Sequence, residues 1–340
     1  MRMKKLLILS AAVLGAVACS NTYEVKTAPE KAIGFGTWTE TQTKARAAGA
    51  STFGDGDSFK VEGFKTLSGS PVTVFDDVEV RTTDGSTWTY TDTRFWDSNA
   101  TSYTFFAVSS PNTDLTFAPD GTIAATAVTF SGENNDILLA NSVVVAPPYS
   151  SAPVALNFKH IGVLVDLKVK KSATLNTATV AITGITLEGV SDEATVAVTG
   201  YASNVPTVEW ASLDNSDYST YGITSGAVDC TLPADVDESG KDLINTLVVI
   251  PQELSDTKIL KISYTITDAS GNVNEFTNKE IKLNQFDQSN DTDNTTPFIT
   301  SWAAGNHYIY NLTIDANTIN FSASITDWTA AVNGYHYLIN

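Results

Sequence analysis

The sequence contains few of the residues on which catalytic and metal sites most often depend. It has only two cysteines, Cys19 and Cys230, and three histidines, His160, His307 and His336. Two cysteines cannot form a disulfide framework, so the fold must be stabilised by burial of apolar side chains. No HExxH, GxSxG, P-loop or CxxC motif is present, and no histidine has a partner at metal-ligand spacing. We therefore expect no enzyme, no cofactor and no metal site.

Positive charge is also scarce. The chain carries 20 Lys and Arg against 38 Asp and Glu, which gives a net charge of −18. Because binding to nucleic-acid phosphates requires clustered Lys and Arg, this balance argues against a nucleic-acid partner. Asp235, Asp237 and Gly240 resemble the start of a calcium loop, but Thr246 stands where such a loop needs glutamate. We interpret this segment as a solvated turn.

Only one long apolar run occurs, from Leu6 to Val17, and it is shorter than a membrane-spanning helix. It follows a basic N terminus and ends in small residues before Cys19, which matches a bacterial lipoprotein signal. We expect residues 1–18 to be a signal peptide and Cys19 to carry lipid. A plain secretory signal cut after Ala18 is the alternative, and in both cases the protein leaves the cytoplasm.

Helical periodicity is absent after residue 50, where apolar and polar residues alternate with period two. Turn sequences separate these segments at Asp84-Gly85, Asp120-Gly121 and Ser270-Gly271. One segment places four apolar residues on a single face, as an antiparallel strand with one buried face does: Leu260, Ile262, Tyr264 and Ile266. The pattern predicts an all-β protein built from antiparallel β-sandwiches with Greek-key connections.

The apolar register changes once, at His160-Ile161. Leu156 and Phe158 precede the change and Val163 follows it in the other register. A strand changes faces only at a bulge, a bend or a move to another sheet. We place the end of the first domain after this strand, near Lys170, which predicts domains at 47–170 and 171–340. His160, inside an apolar strand, is expected to be a hydrogen-bonded core residue.

The segment before the first domain combines a strand with an unusual loop. Ile33 and Phe35 alternate with small residues, as in a half-buried strand. The following residues, 41–52, are all small or polar except Lys44 and Arg46, so we expect this loop to be exposed. An arginine among small residues suits a trypsin-like protease, whereas an ordinary linker is the alternative interpretation.

Several of these segments together resemble the fimbrillins of Bacteroidetes, the subunits of type V pili, and their Mfa-like relatives. The resemblance covers essentially the whole chain. It rests on the lipoprotein signal, the early strand, the arginine loop and five further segments: FGDGDSFKVEGF, WTYTDTRFWDSNATSYTFFAV, LNFKHIGVLVDLKV, SWAAGNHYIYNLTI and ITDW.

The resemblance implies two transthyretin-like β-sandwich domains and a subunit of a cell-surface fimbria that supports adhesion. Such subunits are exported as lipoproteins to the outer membrane, cut by an arginine-specific protease and polymerised by β-strand exchange. By position, Cys19 would carry the lipid, Arg46 would be the cut site at the end of the segment 19–46, and residues 31–40 with Ile33 and Phe35 would be the strand removed. Neither the type of subunit (stalk, anchor or tip) nor a ligand follows from the resemblance.

The last ten residues, 331–340, would supply the strand donated to another pilin subunit. Tyr335, Tyr337 and Ile339 lie on one face of this segment. The alternative is that this strand completes its own C-terminal sandwich. A second functional hypothesis is a surface or pilus-tip adhesin that binds a host ligand or glycan through loop aromatics, for which Trp210, in a polar segment, is the residue to test.

Overall fold

The alternation of apolar and polar residues folds into β-strands throughout the part of the chain that the structure describes. The computed structural model describes residues 31–38, 53–110, 113–130, 136–211, 218–224, 241–286, 298–316 and 318–328. These ranges contain 21 β-strands and two short 3-10 helices, Ala173–Leu175 and Leu283–Gln285. No helix within them has the length and hydrophobicity needed to cross a membrane.

The strands, in chain order, are β1 Phe35–Trp38, β2 Ser58–Leu67, β3 Ser70–Thr82, β4 Trp88–Thr89, β5 Ser102–Ser109, β6 Ile123–Thr129, β7 Leu138–Ala140, β8 Val143–Val145, β9 Val154–His160, β10 Val163–Lys171, β11 Thr179–Ser191, β12 Glu193–Ala202, β13 Val205–Ala211, β14 Tyr218–Thr224, β15 Lys241–Val249, β16 Gln252–Glu253, β17 Ile259–Thr267, β18 Val273–Lys282, β19 Ser301–Trp302, β20 Asn306–Ile314 and β21 Ile319–Asp327.

The first half of the chain forms an eight-stranded sheet in the order β1-β9-β7-β5-β2-β3-β4, with β8 paired to β5. The two ends of this sheet approach each other, as the indole N–H of Trp88 on β4 donates a hydrogen bond of 3.1 Å to the Thr37 hydroxyl on β1. Side chains of the sheet form the first core, an aromatic-rich cluster that includes Phe35, Phe59, Phe75, Phe105 and Phe158.

The second half forms two four-stranded sheets, β15-β10-β20-β21 and β14-β11-β17-β18. Apolar residues of both sheets meet in the second core, which includes Leu167, Val180, Ile262, Tyr264 and Tyr310. This is the arrangement of a β-sandwich. The predicted all-β sandwich class is therefore confirmed, and among the described strands only β1–β9 and β10–β20 pair in parallel.

The sequence correctly predicted the local features of these strands. The glycines of all three predicted turns, Gly85, Gly121 and Gly271, have the positive φ that tight turns favour. The predicted apolar face of β17 is buried in the second core. His160 is a buried core residue, and its ring nitrogen Nδ1 lies 2.9 Å from Oδ1 of Asp136.

A three-stranded sheet, β13-β12-β6, joins the two halves, because β6 comes from the first and the β12–β13 hairpin from the second. This sheet and the eight-stranded sheet enclose the third core, which includes Phe64, Phe106, Val128, Phe130, Val196 and Trp328, with Trp210 partly buried against it. The two halves therefore share both a sheet and a core.

The chain changes sheets earlier than the expected boundary near Lys170. β9 pairs with β1 and β7 in the eight-stranded sheet, whereas β10 pairs with β15 and β20 in the second sandwich. The register change at His160-Ile161 therefore marks the passage from one sheet to the other, and not a bend in the last strand of the first domain. The division of the chain into two domains remains a prediction.

A buried carboxyl on β2 makes the stability of the first half sensitive to pH. Glu62 is 3% exposed, and its Oε1 accepts a hydrogen bond of 2.8 Å from the backbone N–H of Asp77. Burial, with a smaller effect of Asp76 and Asp77, raises the pKa of Glu62 to about 7.

We expect the free energy of unfolding to fall as pH rises from about 4.5 to 7, because the folded state holds a proton there that the unfolded state has lost. The fall should amount to about 1–3 kcal/mol, and Glu62→Gln should remove it. Urea unfolding between pH 4.5 and 8.5 measures the difference between the two proteins. Glu275→Gln, on the exposed strand β18, is the matched control and should follow the wild type. Parallel curves for the wild type and Glu62→Gln would contradict this account.

Candidate strand-exchange groove

Residues 31–38, which end in strand β1, lie in a groove, and their alternation sets which side chains enter it. Ile33 and Phe35 point into the first core and are 1% and 5% exposed. Gly34 and Gly36 take the other face, where a Cβ at Gly36 would lie 3.5 Å from Cβ of Pro153. The strand therefore presents two large apolar side chains inward and almost no side-chain surface outward.

One wall of the groove is β9, which pairs with β1 in parallel. The register runs from Phe35 opposite Val154 to Trp38 opposite Asn157. The backbone N–H of Val154 also donates a hydrogen bond of 2.7 Å to the carbonyl of Gly34. β1 is an end strand of the eight-stranded sheet, so β9 is its only partner in the strand order.

The other wall is residues 88–96, which begin with the two-residue strand β4 and which we term the flanking strap. The N–H of Ile33 donates to the carbonyl of Arg94 at 2.9 Å, and the N–H of Trp96 donates to the carbonyl of Lys31 at 3.0 Å. The hydroxyl of Tyr90 donates to the carbonyl of Ile33 at 2.6 Å. The strap thus provides hydrogen-bond partners for the backbone of Lys31 and Ile33, the residues that lead into β1.

The floor of the groove is aromatic. The ring of Phe35 makes edge-on contacts with four rings at centroid distances of 5.2–6.5 Å: Phe59, Phe75, Tyr90 and Phe105. Such contacts add to the free energy gained from burial alone.

Departure of residues 31–38 would therefore expose an apolar trench and leave its wall groups without partners. Besides the β9 ladder, the groups that now pair with residues 31–38 are the N–H groups of Trp96 and Val154, the carbonyls of Arg94 and Tyr149, the Tyr90 hydroxyl and the Trp88 indole N–H. Burying such groups unpaired is costly, and a row of them above an apolar surface favours a replacement strand.

The structure describes only part of the sequence-predicted site. Ile33 and Phe35 are buried in the groove. Arg46 lies in sequence between Trp38 at the end of β1 and Phe53, which packs in the first core. Five of the predicted residues lie outside the described residues: Cys19, Arg46, Tyr335, Tyr337 and Ile339. The calcium-like segment at Asp235 also lies outside them.

Two features of the site were not anticipated from the sequence. In the sequence, residues 88–96 belong to one of the segments that resemble fimbrillins, and nothing in their pattern indicates that they lie against β1. Trp210, expected in a polar loop, is on strand β13 and packs its ring edge-on against Phe130 at 5.9 Å. Within the described residues, no group of acidic, histidine or cysteine side chains could hold a metal ion.

These features define a class of all-β proteins in which one short N-terminal strand closes a groove in a larger sheet. The chain belongs to the fimbrillin-like family, whose family model matches residues 43–328. That match begins after β1 and ends at Trp328. The resemblance seen in the sequence is thus confirmed.

Solved structures of fimbrial proteins are similar to this chain at low sequence identity. A fimbrial protein from Bacteroides vulgatus is 19% identical, with a TM-score of 0.48, over 88% of this chain and 100% of that chain. A fimbrilin from Porphyromonas gingivalis is 12% identical, with a TM-score of 0.43, over 88% of this chain and 98% of that chain. Both TM-scores are too low to define a shared fold. No curated protein matches this chain significantly.

We expect Phe35→Ala to lower the free energy of unfolding by about 3–5 kcal/mol, because it leaves a cavity among four rings of the first core. Phe95→Ala is the control from the neighbouring strap, since Phe95 is 44% exposed, and it should change the stability by less than about 0.5 kcal/mol. Urea unfolding followed by tryptophan fluorescence measures both. Equal effects of the two substitutions would mean that β1 does not fill the groove as described.

Proposed function

We propose that this protein is a structural subunit of a cell-surface pilus. In this proposal it is exported as a lipoprotein precursor, cut after Arg46 and polymerised by β-strand exchange, and the fibre supports adhesion. The observation that carries the proposal is the seating of residues 31–38 in an aromatic groove, where β9 pairs with β1 and the flanking strap hydrogen-bonds to the backbone of Lys31 and Ile33. Membership of the fimbrillin-like family supports assembly with other pilin subunits and a place at the cell surface.

The energetics of β1 favour its replacement once the chain is cut. Burial of Ile33 and Phe35 contributes roughly 1.5–3 kcal/mol for each side chain. Its two outward glycines add no side-chain contact and weaken a strand. While the chain is intact, β1 is held at a high effective concentration beside the groove, and cleavage after Arg46 removes that advantage.

The C-terminal segment 331–340 is the proposed incoming strand. Tyr335, Tyr337 and Ile339 give it three large apolar side chains on one face, against two for β1. A strand of this length can pair with both walls of the groove, which is the strand-addition mode of recognition. The alternative remains that this segment completes its own sandwich, in which case the subunit accepts a strand but does not donate one.

The proposed partners follow from the same steps. They are an arginine-specific protease, which would act at Arg46, the neighbouring pilin subunits, and the outer membrane, which would be reached through lipid on Cys19. The alternative of a tip adhesin that binds a host ligand or glycan is less favoured. Its candidate residue, Trp210, packs against Phe130 in the third core and is not a free loop aromatic.

We expect an arginine-specific protease to cut the folded precursor after Arg46 and produce a new N terminus at Ala47, followed by a ladder of oligomers. Arg46→Lys should block both events, whereas Lys44→Ala should block neither. N-terminal sequencing and sizing of the products measure the outcome. Cutting at Arg46 without oligomers at any concentration would contradict the proposal.

A synthetic peptide of residues 31–40 tests the groove directly. Added in excess to cleaved subunits, it should compete for the groove and shorten the oligomers, because it restores the original occupant. The same peptide with Phe35→Ala should compete much more weakly, since it lacks the ring that fills the floor. Equal inhibition by the two peptides would count against the groove as the assembly site.

Lipidation is tested by labelling cells that produce the full precursor with radioactive palmitate. The wild type and Cys230→Ser should incorporate label and sediment with the outer membrane, and Cys19→Ser should do neither. An unlabelled wild-type protein would support the plain secretory signal instead.

A further inference from the structure

One strand, β9, contacts both parts of the molecule that the proposed assembly would use: the groove around β1 and Trp328, near the C-terminal segment. β9 forms one wall of the groove through its pairing with β1, from Val154 to Asn157. Its last residue, His160, lies three positions further along. The indole of Trp328, the residue that precedes the C-terminal segment, stacks on the His160 ring with centroids 3.8 Å apart and planes 10° apart.

The contact between Trp328 and His160 is fixed on both sides. Trp328 is 3% exposed in the third core. The imidazole of His160 is held by Asp136, whose Oδ1 lies 2.9 Å from its Nδ1. Both acidic and imidazole side chains are buried, so this pair holds the ring in one orientation.

The backbone reinforces the same point. The N–H of Trp328 donates 2.8 Å to the carbonyl of Gly305, and the N–H of Gly305 donates 2.8 Å to the carbonyl of Gly162. Gly305 has a φ of +73°, and a Cβ there would lie 3.3 Å from the carbonyl oxygen of His160. A residue without a side chain allows the three segments to meet at this distance.

We propose that Trp328, His160 and Gly305 form a clamp that carries tension between neighbouring subunits in a fibre. Tension that enters through a strand in the groove is loaded in shear onto β9, passes along β9 to His160, and leaves through Trp328 to the C-terminal segment. The second sandwich is bypassed. This inference rests on the proposed strand exchange with residues 331–340 as donor. Trp328 acts in it as a positioning residue that fixes where the donor segment begins.

Without the clamp, the same tension would fall on β21. This strand lies at the end of the sheet β15-β10-β20-β21 and pairs only with β20. Tension applied at its C-terminal end would open its hydrogen bonds to β20 one after another. A strand opened sequentially resists much less force than one whose bonds are all loaded together in shear. The clamp therefore decides whether the second sandwich remains folded under load.

The test is single-molecule force spectroscopy of the uncleaved chain with Cys19 and Cys230 replaced by serine. Handles are attached at Ala32→Cys, beside β1, and at Thr329→Cys, directly after the clamp. We expect Trp328→Ala to raise the rate of the first unfolding step at constant force at least about tenfold. Trp328→Phe, which keeps a stacking ring, should give an intermediate rate and is the milder variant if Trp328→Ala folds poorly.

Two controls separate a clamp from a general loss of packing. Trp210→Ala removes a partly buried indole that packs against the same third core but lies outside the proposed path, and it should leave the rate at the wild-type value. Moving the second handle to Ser270→Cys, in the turn between β17 and β18, loads the second sandwich directly, so Trp328→Ala should then have no effect. Equal acceleration by Trp328→Ala and Trp210→Ala, or in both pulling directions, would overturn the proposal.

Breakage of assembled fibres under shear distinguishes failure of this proposal from failure of the proposed function. Fibres of cleaved Trp328→Ala subunits should break to shorter lengths under shear than fibres of the wild type or of Trp210→Ala. If wild-type subunits do not assemble, the proposed function fails and the single-molecule result stands by itself. If all three assemble and break equally, the force path is wrong although assembly is right.

Discussion

The structure depends on one constraint, which is that the apolar end of the eight-stranded sheet must be covered by a strand. Residues 31–38 meet this constraint, and their backbone is hydrogen-bonded on both sides. β9 pairs with β1, and the flanking strap bonds to the residues before β1: the Tyr90 hydroxyl donates to the Ile33 carbonyl and the Trp96 N–H to the Lys31 carbonyl. Residues 31–38 form a short segment and are followed by a loop, residues 41–52, that is rich in small residues. This makes them the simplest part of the fold to exchange.

The two halves of the chain are not independent sandwiches joined by a linker. β6 pairs with β12 across the halves, and the third core buries residues from both. Since the proposed groove lies in the first half and the C-terminal segment follows the second, this shared core lies between the two proposed assembly elements. A packed core between these two elements suits the proposed fibre better than a hinge does, because bending at a hinge in every subunit would add up along the length of the fibre.

Several parts of the fold were predictable because they depend on local chemistry. The alternation of Leu260 with Tyr264, the glycines of the turns and the burial of Ile33 and Phe35 all follow from period two and from positive φ. The register change at His160-Ile161 was also visible, and it coincides with the passage from β9 to β10 in another sheet. A change of faces looks the same in sequence whether the strand bends or the chain passes to another sheet, since only the pairing partners differ.

What the sequence by itself determined was the all-β class, the inward pair on the first strand and the resemblance to fimbrillins. Each of these resides in residues close together along the chain. The tertiary structure alone decided that residues 88–96 flank β1, that β6 joins a hairpin from the other half, and that Trp328 stacks on His160. These contacts join residues far apart in sequence, and their pairing is selected by the packing of the whole chain, which no local pattern encodes.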